Sequence, residues 1–257
     1  MHDKRELETF LRRDAHLHIY EIGDLDDFFW PHTVWFGLID EVELDGVVLL
    51  YLGTDPPSLL ALTGDSIAKM RDFLVSIKHL LPTRFYAHLS SGLAEIFAES
   101  HKAEAHGLHY KLALTKPAQL ESVGTSDVVS LSSNELPELG VLYEAAYPET
   151  WFNPRMMETG HYFGLRRDGL LVGVAGIHVF SRRYQVAALG NVATHPDYRG
   201  QGVARATCAH LCRVLLSDVD HIGANVKADN VSALACYERL GFERIASYEE
   251  WDMRLKV

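Results

Sequence analysis

The chain is short of cysteine, of basic charge and of long apolar runs, and each shortage excludes a class of protein. Its three cysteines, Cys208, Cys212 and Cys236, are an odd number in 257 residues. That argues against a disulfide scaffold and for a reducing compartment. Cys208 and Cys212 lie four apart on an expected helix, which reads either as a metal or redox pair or as two small apolar side chains on a packed face. Twenty-four lysines and arginines stand against 35 acids, a formal charge of −11, and no basic stripe is visible. A nucleic-acid partner is therefore not expected, whereas a cationic amine substrate is compatible with the acidity. No apolar run is long enough to span a bilayer. The charged start, Met1-His2-Asp3-Lys4-Arg5-Glu6, lacks the apolar core of a signal peptide. The expectation is a cytoplasmic chain without a membrane partner. His101, His106 and His109 match no zinc-ligand spacing, and no carboxylate or cysteine completes a set, so no metal is expected.

What is present is a repeated order of elements. In the second half, residues 128–131 read as a strand and 135–146 as a helix. Residues 163–166 and 171–180 form β-rich runs about the turn Arg167-Asp168-Gly169. A strand over 187–194, a helix over 200–216, a strand over 221–226 and a helix over 231–240 follow, the last closed by Gly241. Residues 242–248 and 251–255 finish as strands. The first half carries a weaker copy. Strands over 33–39 and 47–52 flank a turn at Asp45-Gly46, and a short strand covers 59–62. A helix follows over 66–80, a strand over 85–89, a helix over 93–105 and a strand over 109–114. This spacing predicts a first domain over 1–115, a linker over 116–126 rich in turn residues, and a second domain over 127–257.

The halves differ at one place. Residues 192–204 read Val-Ala-Thr-His-Pro-Asp-Tyr-Arg-Gly-Gln-Gly-Val-Ala, a strand end followed by a glycine-bearing turn that opens a helix. Glycines let backbone approach a ligand closely, and the free N–H groups of a first helical turn attract an anion. The first half has only an ordinary helix start at Gly64-Asp65-Ser66, with Asp65 or Ser66 as cap. The hexapeptide from Arg199 to Ala204 is weak alone. With glycine near 7% of residues, roughly one chain of this length in four matches by chance. Its weight comes from a second cluster on the next helix: Asn230, Ala233, Tyr237, Gly241 and Phe242.

Together, in this order and on these elements, the two clusters resemble the cofactor-binding half of the GNAT superfamily of N-acetyltransferases. The first half resembles the degenerate N-terminal domain of tandem GNAT proteins, of which the glycine N-acyltransferase-like group is one relative. The resemblance implies an α/β (α+β) fold of two GNAT-like domains, each a central mixed, mostly antiparallel sheet flanked by helices. It implies acetyl-CoA, or another acyl-CoA, as cofactor. Val192, Ala193 and Thr194 would pair with the pantetheine amides like an added strand. Gly200, Gln201, Gly202, Val203, Ala204 and Arg205 would receive the pyrophosphate, with charge from Arg199 and Arg205. For either arginine the alternative is a solvated helix end. Asn230 reads as a helix cap that also faces the cofactor, and Ala233 as a small residue that admits it or simply packs.

Tyr237 would protonate the departing thiolate, the alternative being a core aromatic, and the Val192 N–H would stabilise the oxyanion. Many relatives carry a glutamate on the strand before the motif, where this chain has Leu189-Gly190-Asn191. The base is then His178, a water near Asn191, or Glu249 or Glu250. Tyr147, Trp151 and Phe152, with His178, would wall the acceptor pocket; loop aromatics also plug domain interfaces. The implied activity is acetyl transfer to the amine of a small molecule or peptide. The alternative is a CoA-binding regulatory or interaction module without turnover. Acceptor, acyl length and oligomeric state stay open at this level.

Overall fold

The computed structural model describes residues 1–64, 66–148, 150 and 152–256. They fold as two compact units. One comprises Met1–Lys111, Val226–Asn230 and Arg244–Val257, and the other Leu112–Asn225 and Val231–Glu243.

The first unit opens with α1 (Lys4–Leu11), whose start is capped by the Asp3 carboxylate accepting from the N–H groups of Arg5 and Glu6. A short α2 (Ile19–Gly23) follows, then the hairpin β1 (Thr33–Asp40) and β2 (Glu43–Tyr51). The hairpin turns at Glu41 (φ 54°) and Val42, not at Asp45-Gly46. Gly46 instead lies within β2 opposite Leu38, beside a bulge at Leu38/Ile39. The Asp-Gly pair, a strong hairpin signal, is absorbed by that irregularity.

β3 (Ser58–Ala61) is antiparallel to β2 and parallel to β4 (Arg84–Leu89). Between them α3 (Ile67–Ile77), capped by Ser66, buries Met70, Phe73, Leu74 and Ile77 in a core with Val48, Leu59, Phe85 and Phe97. The helix expected over 93–105 is absent. Ala94–Phe97 makes one 3-10 turn, and β5 (His101–Leu114) begins soon after. Beyond Phe97 that stretch offers only alanines for an apolar stripe, too little to hold a helix against the sheet.

The second unit contains β6 (Val128–Ser130), α4 (Leu136–Ala146), β7 (Phe163–Arg167), β8 (Leu170–Ser181), β9 (Val186–Thr194), α5 (Val203–Leu215), β10 (His221–Lys227) and α6 (Val231–Arg239). Its strands lie in the order β10-β9-β8-β7-β6, antiparallel except for the parallel pair β10·β9. α5 buries Val203, Thr207, Cys208, Leu211, Cys212 and Leu215, which is the packed-helix reading of its two cysteines. Burial holds both thiols well above their ordinary range. The stretch read as a linker is folded. Residues 117–122 form a 3-10 turn, and the Arg213 guanidinium donates to the carbonyls of Leu120 and Val123 and to the Thr125 hydroxyl.

Residues 242–255 form one strand, β11 (Phe242–Leu255), rather than two closing the second domain. Glu249 to Arg254 pair antiparallel with Leu89 to Arg84 of β4, and Met253 enters the first unit's core. An edge of β4 left open would expose a row of backbone donors and acceptors, and the end of the chain fills it.

Candidate functional site

The second unit's sheet opens beside its glycine turn. β10 pairs with β9 from His221↔Val186 to Ala224↔Leu189 and no further. β9 continues to Thr194 and β10 to Lys227, so the two parallel strands part beyond Leu189 and Ala224. On its other side β9 pairs with β8 as Gly176↔Gly190, then Val174↔Ala193 and Gly173↔Thr194. Asn191, with φ 53°, and Val192 form the bulge between.

Two glycines make this geometry fit. A Cβ on Gly176 would stand 2.2 Å from the Tyr162 ring, and one on Gly190 would stand 2.1 Å from the His178 ring. Asn191 is buried. Its carbonyl accepts from the Tyr143 hydroxyl at 3.0 Å. Its side-chain amide donates to Thr150 Oγ1 at 3.2 Å. The Tyr162 hydroxyl lies 3.0 Å from Asn191 Oδ1 and 3.1 Å from the Ile177 carbonyl, and its one proton serves one of them at a time. Burial raises both phenols far above their usual range, so both remain donors. A neutral network therefore occupies the place where a carboxylate was sought.

β9 ends at Thr194, and Pro196–Tyr198 form a 3-10 turn. Gly200 and Gly202 follow with φ 75° and 80°. Nothing lies within 4 Å of a Cβ built on either, so backbone conformation requires glycine and the outer side is open. The left-handed Gly202 is the N-cap of α5, which therefore starts at Val203 rather than at Gly200. Val203 fills the gap over Gly173, where a Cβ would stand 2.1 Å from it. The first-turn N–H groups of Val203, Ala204 and Arg205 have no intrahelical acceptor, and the ladder begins with Ala206 N–H to the Gly202 carbonyl.

The guanidinium of Arg199 donates to the carbonyls of Thr194 and Ala146, at 3.4 and 3.1 Å, and so braces the turn. Gln201 Nε2 donates to the Asp197 carbonyl at 3.1 Å. Two buried atoms here, Arg205 Nε and Thr194 Oγ1, have no hydrogen-bond partner. Leaving such groups unmade costs about 1–3 kcal/mol each, which favours a polar ligand at the turn.

α6 carries Ala233 and Tyr237 four apart, on one face. Tyr237 is buried, with its ring edge-on to Phe242 at 5.1 Å. It is hydrogen-bonded to Cys208 of α5, a partner that no motif signals. Gly241 (φ 95°) ends the helix, and its carbonyl accepts from the N–H groups of Thr115 and Lys116. Asn230 directly precedes α6, its N–H donating to the Lys227 carbonyl, and is grouped with the first unit.

Of the acceptor-wall candidates, Tyr147 is exposed. Phe152 packs among the rings of Tyr143 and Tyr162, at 5.1 and 5.8 Å. Trp151 lies outside the described residues. His178 covers Gly190. The base candidates Glu249 and Glu250 are placed in the first unit. Glu250 accepts from the hydroxyls of Tyr86 at 2.5 Å and Tyr248 at 2.7 Å, with His88 at 3.6 Å and His109 at 3.4 Å. Glu249 accepts from Trp251 Nε1. Among the described residues no group of three or more His, Cys, Asp or Glu is placed to hold a metal ion, and no helix is long and apolar enough to cross a membrane.

Residues 128–242 match the model of the Acetyltransferase (GNAT) family. The chain is 34% identical over 104 residues to N-alpha-acetyltransferase RimI of Mycobacterium tuberculosis, covering 38% of this chain and 63% of that protein. It is 32% identical over 120 residues to the ribosomal protein bS18-alanine N-acetyltransferase of Escherichia coli, covering 45% of this chain and 79% of that one. A solved tandem GNAT protein from the clavulanic acid biosynthesis pathway shares the fold over 98% of this chain and 95% of its own, with a TM-score of 0.58 and 15% identity. The chain belongs to the GNAT acetyltransferase family.

Proposed function

We propose that the second unit binds acetyl-CoA and transfers its acetyl group to an amine. The observation that carries this is the end of the β9·β10 ladder at Leu189/Ala224, directly before residues 190–194 and the turn at Gly200 and Gly202. When bound, acetyl-CoA supplies an acyl group activated as a thioester. Backbone groups of Val192, Ala193 and Thr194 hold the pantetheine arm as an added strand would. The N–H groups over residues 201–205, with the unpartnered Arg205 Nε, hold the diphosphate. Ala233 leaves room for the arm, and Tyr237 faces it from α6. The Val192 N–H stabilises negative charge developing on the acyl oxygen. Tyr237, whose hydroxyl donates to Cys208 in this structure, would turn that proton to the leaving sulfur.

The neutral network at Asn191 points to the acceptor class. A lysine-type amine, with a pKa near 10.4, is neutral in roughly one molecule in several thousand at pH 7, whereas an α-amine, near 8, is neutral in about one in ten. An α-amine needs no carboxylate base; His178 or water suffices to take the proton. The relatives' names point the same way, since both are N-terminal or alanine N-acetyltransferases. The acceptor proposed is the α-amine of a peptide or small molecule, walled by Tyr147, Phe152 and His178, in a cytoplasmic enzyme. Kinship with the glycine N-acyltransferase-like group would extend the donor to longer acyl-CoAs.

Thermal shift with acetyl-CoA tests binding: a one-site ligand at 100 times its Kd adds about 2.7 kcal/mol. Thiol release with an alanine-start peptide, against one whose only amine is a lysine side chain, tests the acceptor. Tight binding with no thiol release from either peptide would favour the second reading, a CoA-binding module without turnover, which the absence of a carboxylate at residues 189–191 supports.

A further inference from the structure

We propose that Tyr143 is a positioning residue that sets the aim of the Val192 N–H. The proposal rests on the reading of Val192 as the donor to the acyl oxygen. Asn191 O and Val192 N–H belong to one peptide unit, which is planar and trans, so its carbonyl and its N–H point in opposite directions. The Tyr143 hydroxyl donates to that carbonyl at 3.0 Å and thereby fixes the plane and the direction of the N–H. The bond is needed because Asn191 sits at φ 53° within the register shift between Gly176↔Gly190 and Val174↔Ala193, where no ladder pairing holds the peptide. Tyr143 stands on α4, is buried, and is flanked by Phe152 at 5.1 Å. Its phenol is kept protonated by that burial, so it donates throughout the working pH range. The other side of Asn191 is tied to Thr150, within the segment proposed to face the acceptor. One residue thus joins the strand end to α4 and to the acceptor wall.

The test is Tyr143→Phe, which keeps the ring and removes the donor. Acetyl-CoA affinity and acceptor KM are expected to stay within twofold of wild type, while kcat falls about tenfold to a hundredfold, the scale of a displaced catalytic group. A kcat within twofold of wild type overturns the proposal. Hydrogen exchange of the peptide spanning residues 190–194 is read alongside. It is expected to speed up at least tenfold in Y143F, and exchange at the wild-type rate overturns the proposal. Because that readout needs no turnover, it judges the Tyr143 bond even where wild-type protein acetylates no amine and the acetyltransferase reading fails. Should Y143F not fold, Thr150→Val removes only the partner of the Asn191 side-chain amide and leaves the Tyr143 bond in place. Its exchange over residues 190–194 is expected to stay within twofold of wild type, and a tenfold rise overturns the proposal by making Thr150 the residue that holds the peptide.

Discussion

Gly176 lies opposite Gly190 across the β8·β9 ladder, and each carries an aromatic ring where a Cβ would stand. The two rings have different freedom. Tyr162, over Gly176, is fully buried and hydrogen-bonded through its hydroxyl. His178, over Gly190, is half-buried. Gly176→Ala is therefore expected to cost more stability than Gly190→Ala, on the scale of about 1–3 kcal/mol for overpacking. Melting curves decide the order, at about 2–4 °C per kcal/mol for a domain of this size. A larger loss for Gly190→Ala would mean that Tyr162 yields more readily than its hydrogen bonds suggest.

Gly202 and Gly169 offer a matched pair. Both have φ near 80° and open space where a Cβ would go. Alanine at either is expected to cost roughly 1–2 kcal/mol of backbone strain. Only Gly202→Ala should also weaken acetyl-CoA binding, because only Gly202 caps α5. Titration calorimetry of both variants separates the effects, and equal affinities would remove the turn from the cofactor site.

Tyr237→Phe is expected to lower kcat by about a hundredfold, the lower end of general-acid effects, with acetyl-CoA affinity within twofold. The ring still packs on Phe242, so the melting temperature should change little. An unchanged kcat would return Tyr237 to a core role beside Cys208.

The first unit is expected to lose stability as pH falls, in two stages. Burial lowers the His88 pKa, so the folded state resists its proton while the unfolded chain accepts one below about 6.5. That loss begins as pH drops through the unfolded value. For the carboxylates burial works the other way and is overcome. His88 and His109 hold Glu250 below its usual range, and Lys111 and His18 hold Glu21 at about 2. Their contribution is complete above the unfolded value near 4.5 and fades as pH falls toward the folded one. Melting temperatures from pH 7 to pH 3 check this: Glu21→Gln should flatten the stage below pH 4.5 and leave the stage near pH 6 in place.

One acetyl-CoA per chain is expected. In the first unit the corresponding parallel pair, β3·β4, does not open. Its ladder reaches Ala61↔Leu89 and is carried on by Ser90 N–H to the Ala61 carbonyl at 3.1 Å and Thr63 N–H to Ser90 Oγ at 3.0 Å. α3 then starts from an ordinary serine cap. Calorimetry reads the stoichiometry directly, and two sites per chain would contradict the closed seam.

The strand-turn-helix at Val192–Ala204 was legible in the sequence because its signals are local. Glycine at positive φ, an apolar stripe at helical spacing and a glycine after the last helix act within a few residues of one another. The same local reasoning failed at residues 93–105, where the expected helix had no stripe to bury, and at Asp45-Gly46, where a bulge took the turn's residues.

The rest depended on tertiary structure. Tyr143 meets Asn191 across 48 residues, and Tyr237 meets Cys208 from a different helix. Glu250, a candidate base by sequence, is drawn to Tyr86, Tyr248, His88 and His109 because the last strand pairs with β4. The sequence by itself determined where a glycine turn gives way to a helix N-terminus, since backbone conformation there is set by the residues themselves. Which side chains surround that terminus, and which hydrogen-bond donors hold Asn191, only the folded chain decided. Strand edges and buried polar groups are satisfied by whatever packing brings to them, and no local pattern records that choice.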